Sequence, residues 1–328
     1  MRAAMITKRI LLTLAVAASA GLAVAGPGLA QSYPDRPIKL VLPFTAGSPN
    51  DVLARLVTPH LSARLGQTVV IDNRPGGGTS IGTKAVMGAE PDGYTLLFSN
   101  TPTLLIVPVA SKAINYDPIK DVVPVATIAS SSNVMVIAPS LPARTLQEFI
   151  AHAKANPGKL NFGFGQGTQP HLVGEMFKLA TGTNIANVPY RGGAHAITDM
   201  LGGRIHMNIG TMSTLKPLHE QGKVRAVAVT STSRSPLLPE IPTMAESGLP
   251  QVTSVSYYGI FGPVGLPAAI VSKINSAMNE SLKSPELRAG LEKFGFAPHP
   301  GSPKDFAALV ASESKKWVPV VKATGFQM

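Results

Sequence analysis

The chain has no cysteine among its 328 residues, which excludes disulfides and thiolate metal sites and leaves its cores to hold it together. Aromatic residues are scarce, at one Trp, six Tyr and eleven Phe, and basic residues run no longer than pairs such as Lys315-Lys316. Nucleic-acid binding wants a clustered basic face interleaved with aromatic rings, and the sequence offers neither. After the first 30 residues no stretch approaches about 18 unbroken apolar residues, so no membrane-spanning helix is expected there. There is no Walker A pattern, no G-x-G-x-x-G at a strand–helix junction and no H-E-x-x-H. Nucleotide chemistry and metal chemistry are therefore unsupported, and no cofactor is expected.

The first segment reads as an address. Arg2, Lys8 and Arg9 precede an apolar run from Ile10 to Ala25, and Gly28-Leu-Ala30 makes a small-residue cleavage site before Gln31. That is the layout of a secretory signal peptide over residues 1–30; an uncleaved anchor helix is the alternative. Removing it leaves 26 basic against 18 acidic residues, a formal +8, spread rather than clustered. Such a surface attracts anionic solutes mildly.

One local unit occurs twice: an apolar strand, a loop of small polar residues, then an amphipathic helix. The first is Ile38–Phe44, Thr45-Ala-Gly-Ser-Pro-Asn50 and a helix from Asp51 to about Leu65. The second is Leu160–Phe164, Gly165-Gln-Gly-Thr-Gln169 and a helix from about Pro170 to Ala180. Each loop ends at a helix start, where backbone N–H groups lack partners and the helix dipole favours negative charge. Two such anion-seeking mouths predict two lobes that close on one anionic ligand.

Strands and helices alternate elsewhere too. Strands at Thr68–Asn73 and Tyr94–Ser99 and a helix at Thr79–Ala89 complete a β-loop-α-β-loop-α-β order, which argues for a parallel sheet. Ala126–Ala138 reads as a long strand leading out of the first lobe and Ser254–Phe261 as a strand leading back. Between them strands at Ile185–Pro189, Ile205–Ile209 and Val224–Thr230 alternate with helices. Three helices, near Ala268–Leu282, Pro285–Lys293 and Pro303–Ala323, end the chain. The expected architecture is α/β, with residues 31–130 and 255–328 in lobe 1, residues 131–254 in lobe 2, and two crossover strands as hinges.

The segments Tyr33–Phe44, Leu65-Gly-Gln-Thr-Val-Val-Ile-Asp-Asn-Arg-Pro-Gly-Gly-Gly78, Pro91-Asp-Gly-Tyr-Thr-Leu-Leu97, Pro170–Phe177, Val188-Pro-Tyr-Arg-Gly-Gly-Ala194 and Pro239-Glu-Ile-Pro-Thr243 resemble, in order, the substrate-binding proteins of tripartite tricarboxylate transporters. These form the Bug family of extracytoplasmic solute receptors. The resemblance implies a bilobed periplasmic binding protein of type II-like fold, monomeric and without catalysis. Such a receptor captures a small carboxylate between its lobes and hands it to a membrane permease. In that family the carboxylate is held, partly through water, by the loops after the first strand and after the second-lobe strand. Carried onto this chain, these are Phe44, Thr45, Ala46, Gly47, Ser48 and Asn50, and Gly165, Gln166, Gly167 and Thr168. The turn with Tyr190 and Arg191 also faces the cleft. The chain departs from the family in a first loop poorer in glycine and in His206, where an Asp is frequent.

The residues themselves allow both structural and ligand roles. Ser48 and Thr168 are good helix caps whose hydroxyls would also face a ligand. Asp51 suits the helix dipole better than an anion. Arg191 could form a fork with a carboxylate or lie on the surface. Asn100, Thr101 and Thr103 follow the third strand at the carboxyl end of the sheet, where α/β ligands sit. His171 and Glu175 share a helix face without a third metal ligand and read as a packed or solvated pair. Gly78-Thr-Ser80-Ile-Gly82 fits the G-x-S-x-G elbow of a secreted serine hydrolase, but Pro75-Gly-Gly-Gly78 stands where a strand is required. A receptor that presents its closed form to a membrane sensor is the remaining alternative.

Overall fold

The computed structural model describes residues 33–111, 114–166, 168–190 and 192–324, and the compact unit begins at Arg36. The segment read as a signal peptide lies outside the described residues. β1 (Ile38–Leu42) is flanked by β2 (Val69–Asn73) and β3 (Thr95–Asn100), both parallel to it. β3 pairs antiparallel with β9 (Val255–Pro263), which pairs antiparallel with β4 (Val122–Ile137).

β4 organises the molecule. From Val122 to Ser132 it pairs with β9, and the short β10 (Ala297–Pro298) joins it at Ala129–Ser130. From Asn133 its partners change to β7 (Met207–Thr211) and β8 (Arg225–Val229), both antiparallel. β5 (Asn161–Gly165) then pairs parallel with β7 and with β6 (Ala186–Tyr190). The apolar stretches Val125–Ala129 and Val134–Ile137 supply the continuous buried run of a central strand. The small polar Ser130-Ser131-Ser132 between them is where partners change. Pro124, with no N–H to give, sits at a register shift against β9.

Two crossings link the two sheets, as the strands near 130 and 255 predict. The outward one is β4 itself. The return is tied to it through Thr230: Asn133 N–H donates to the Thr230 hydroxyl (2.9 Å), which donates to the Ser254 carbonyl (2.7 Å). Thr230 N–H donates to the Asn133 carbonyl and Ser254 N–H to the Thr230 carbonyl.

The helices follow their local signals. α1 (Pro49–Leu65) starts two residues earlier than its apolar stripe suggests, because Ser48 caps it and Pro49 takes the first helical position. Gly66 ends it at φ 73°, a left-handed conformation that costs glycine little. α2 (Ser80–Met87) follows one turn of 3-10 helix. α3 (Thr101–Ala110) is an addition to the expected elements. Leu104, Leu105, Ile106 and Val107 are all buried, so this helix has no polar face and leaves no 3.6-residue alternation to read.

α4 (Leu146–Ala155), α5 (Gln169–Thr181), α6 (Gly193–Leu201) and α7 (Met212–Glu220) accompany the second sheet. α8 (Ala268–Ser281), α9 (Pro285–Lys293) and α10 (Pro303–Thr324) close the chain. The single tryptophan, Trp317, is fully buried on α10 and its indole N–H donates to Glu313 (2.7 Å). Phe306 of the same helix packs on Phe261 of β9 at 4.9 Å between ring centres.

Candidate ligand-binding cleft

The first loop is held from beneath by a carboxylate. Asp51, 2% exposed in the first turn of α1, accepts from Gly47 N–H (2.9 Å), Arg55 Nε (2.8 Å) and Asn73 Nδ2 (3.0 Å). Asn73 also donates to the Phe44 carbonyl (3.1 Å), and Ser48 N–H to the Thr45 carbonyl (3.2 Å). Gly47 can make this turn because its φ is 79°. Burial pushes the Asp51 carboxyl up, but the bonds from Arg55, Gly47 and Asn73 and the Arg55 charge together hold it below its ordinary value. Asp51 thus complements the helix start and also shapes the loop. Thr45 and Ala46 are exposed, and Phe44 is half-buried.

Asn100 and Thr101 brace this loop. Asn100 caps α3 by accepting from Thr103 N–H (2.9 Å) and donates to the Asn50 side chain (2.9 Å). Thr101 is fully buried and its hydroxyl accepts from Tyr257 N–H (3.3 Å).

In the second loop the Thr168 hydroxyl donates to the Gly165 carbonyl (2.8 Å) and accepts from His171 N–H (3.5 Å) at the start of α5. Gln166 N–H donates to the Tyr190 carbonyl (2.9 Å). A side chain at Gly165 would meet Gly193 N at 3.2 Å, so the loop and the turn after β6 are in contact. The Tyr190 hydroxyl donates to Asp199 (2.7 Å), which also binds Arg204 (2.9 Å). Burial, with the Asp199 bond and charge, pushes this phenol up to about 12, so it stays a neutral donor. Gly167 and Arg191 lie outside the described residues.

Gln169 escaped the sequence reading. Its amide nitrogen donates to Ser254 Oγ (2.8 Å), while its oxygen accepts from Ser256 Oγ (2.6 Å) and Asn133 Nδ2 (3.3 Å). The start of α5 is thereby fastened to both crossing strands.

A cavity of about 120 Å³ opens where the first loop meets this junction. Gly47, Pro49 and Val52 line it from the start of α1, Ser131, Ser132 and Tyr258 from the crossing strands. Thr211, Met212 and Ser213 come from the start of α7, and Phe294, Gly295 and Phe296 from the turn after α9. Of the described residues expected from sequence, Gly47 alone lines it; Phe44, Thr45, Ala46, Ser48, Asn50, Asn100, Thr101, Gly165, Gln166, Thr168 and Tyr190 do not. Thr211-Met212 is a third strand-to-helix junction of the same pattern, β7 into α7, and that repetition was available as a signal.

The two competing motifs have structural occupations. His171 stacks on Phe164 (3.8 Å between ring centres, 7° between planes), with Glu175 3.7 Å from Nε2. Burial lowers its pKa to about 4, with Glu175 opposing and the Lys178 charge assisting. A group neutral in the fold but protonated in the unfolded chain stabilises above pH 6.5, and that stability is lost as pH falls toward 4. Between pH 7 and pH 5 the loss is about 2 kcal/mol. His171→Gln is expected to flatten this dependence in denaturation curves taken at both pH values; an unchanged slope assigns it to other groups. Among the described residues no three His, Cys, Asp or Glu gather as metal ligands. Ser80 opens α2 after a 3-10 turn, not a strand, so the nucleophile elbow is absent.

Residues 53–326 match the family model of the tripartite tricarboxylate transporter family receptor. The chain belongs to this family. It is 36% identical to BugT of Bordetella pertussis over 307 residues, 93% of this chain and 94% of that one. Among solved structures, Rpa4515 of R. palustris with adipate is 35% identical, with a TM-score of 0.78 over 90% of this chain and 99% of that one. MatC from Rhodopseudomonas palustris with bound malate is 29% identical, at 0.75 over 88% and 100%. The fold is thus the bilobed α/β fold of the periplasmic receptors in this family, which bind solutes and are not enzymes. His206, at the departure from the family pattern, accepts from Asn161 N–H at Nδ1 (3.1 Å), a bond that ties β5 to the start of β7.

Proposed function

We propose that this receptor captures a small carboxylate between two lobes in the periplasm and delivers it, as a monomer, to the membrane permease of a tripartite tricarboxylate-type transporter. The observation that carries this reading is the cavity into which the starts of α1 and α7 both open beside the strand crossings. The dipoles at helix starts favour an anion there. The adipate and malate held by two structural relatives are carboxylates of the expected kind. The lobes divide near residues 130 and 255, residues 1–30 are removed on export, and closure turns about the Thr230 junction.

Binding stabilises the folded state by RT ln(1+[L]/Kd), so a recognised acid raises Tm in a saturable way. A broad panel of carboxylates that leaves Tm unmoved counts against the receptor reading, and unimpaired uptake in a deletion strain counts against the permease. Gly47→Val is expected to weaken binding by about tenfold or more, because a β-branched residue resists φ 79° and the loop must rearrange. No atom lies within 4 Å of its new Cβ, so the fold itself survives. Unchanged affinity by calorimetry would remove this loop from the site.

A further inference from the structure

The crossing strands carry a polar row on one face. Alternate residues of a strand share a side, which groups Ser254, Ser256 and Tyr258 on the return strand and Ser131 and Asn133 on the outgoing one. Ser131 and Ser256 stand opposite each other in the register. Ser254 is fully buried, and Ser256 and Asn133 are buried too. One end of this row belongs to the cavity, where Ser131 and Tyr258 line the wall and share a hydrogen bond (3.1 Å). Burial pushes the Tyr258 phenol up against the opposing hydroxyls of Ser131 and Ser256, so it stays neutral.

The other end belongs to the second loop, through a single side chain. Gln169 is the first residue of α5 and directly follows the Thr168 cap. Thr168 already answers the helix start, so the Gln169 side chain is not needed there. It runs to the strands instead and meets Asn133, Ser254 and Ser256 across 36, 85 and 87 residues. An amide presents a donor and an acceptor on one tip. The donor goes to Ser254 Oγ, and the acceptor takes Ser256 Oγ and Asn133 Nδ2. Ser256 and Tyr258 then carry the row on to the cavity wall.

Given the receptor reading above, both loops must reach one solute, and their separation decides how often they do. We propose that Gln169 is a positioning residue for this capture: its amide holds the second loop at a set separation from the cavity beside the first, by way of the crossing strands. A solute binds only the fraction of molecules in which both loops are in place, and apparent affinity falls in proportion to that fraction. Loss of the three bonds releases the start of α5 from both strands. A difference of that many buried hydrogen bonds shifts the ratio of two arrangements by about tenfold or more.

Distances between the lobes test this without any solute. The natural chain has no cysteine, so Ser276→Cys on α8 and Ala151→Cys on α4, both exposed positions, give the only two thiols for spin labels. Double electron–electron resonance then reads the interlobe distance in otherwise wild-type protein and in Gln169→Met, which keeps the length of the side chain and removes its hydrogen bonds. The methionine variant is expected to show a new or enlarged second distance, with the ratio of arrangements shifted by about tenfold or more. A lower Tm with a wild-type distance distribution would make the Gln169 bonds merely structural and overturn the proposal. Should Gln169→Met fold poorly, Ser256→Ala takes its place: it removes one partner on the strand, and a wild-type distribution there overturns the proposal equally. Because no solute is added, unchanged distances leave the receptor reading standing, and failure of every acid to bind leaves this measurement unaffected.

Discussion

Thr230→Val is expected to lower stability by about 4 kcal/mol and Tm by on the order of 8 °C. Valine matches threonine in shape, so the loss comes from the hydroxyl alone. That hydroxyl is fully buried, accepts from Asn133 N–H and donates to the Ser254 carbonyl. Without it a buried donor and a buried acceptor both lack partners, and each costs about 1–3 kcal/mol. Thr230→Ser, which retains the hydroxyl, should recover most of the loss. Denaturant unfolding of the three proteins decides the matter: equal stability of the valine and wild-type proteins would mean the crossings are held by the backbone bonds at this residue. The same variants carry a functional readout. If closure turns about this junction, Thr230→Val changes solute affinity more than its stability loss alone would, whereas a purely local weakening leaves affinity unchanged.

Why Thr230 could not be singled out from sequence is instructive about the rest. The β1–α1 and β5–α5 units were legible because strand period, cap and helix stripe are all local signals. Ser48 and Thr168 cap their helices as their positions suggest, and Gly66 stops α1. The succession of strands and helices along the chain followed from alternation and length, whereas the antiparallel pairing of β9 with β3 and of β4 with β9, β7 and β8, against an expected parallel sheet, did not. α3 was hidden because burial on all sides erases the amphipathic pattern. Gln169 and Thr230 were hidden for a different reason. Gln169 meets Ser254 and Ser256 across 85 and 87 residues, and Thr230 meets Asn133 across 97. No periodicity encodes such pairings. The cavity shows the same division. Gly47 comes from a recognisable loop, whereas Phe294–Phe296 reaches it only because β10 brings that turn to Ala129–Ser130 of β4. Residue type and spacing locate one loop at the cavity; distant packing supplies its walls.

Asp51→Ala is expected to cost about 3 kcal/mol at pH 7 and to weaken solute binding by about tenfold or more. A carboxylate beside an anion site invites the opposite expectation, since its removal should relieve repulsion and tighten binding. Two observations decide the sign. Arg55 neutralises the carboxylate at 2.8 Å, so little net charge reaches the cleft. Meanwhile the same carboxylate receives Gly47 N–H and the Asn73 amide, the two groups that fix the first loop. Alanine leaves these donors unanswered and lets the loop sample other turns, so the cost of ordering it falls on binding. Asp51→Asn separates the two effects, because its side-chain oxygen can still accept from Gly47 while its charge is gone. Positional control predicts binding in the order wild type, Asn, Ala. A tighter-binding Asn variant would show repulsion to be the larger effect. The folded carboxyl is held below its ordinary value near 3.8, so its contribution is complete at neutral pH and fades as pH falls through that lowered value. Affinity measured down to pH 5 should therefore show no step from this residue, and a loss of binding between pH 7 and 5 that persists in Asp51→Asn belongs to another group.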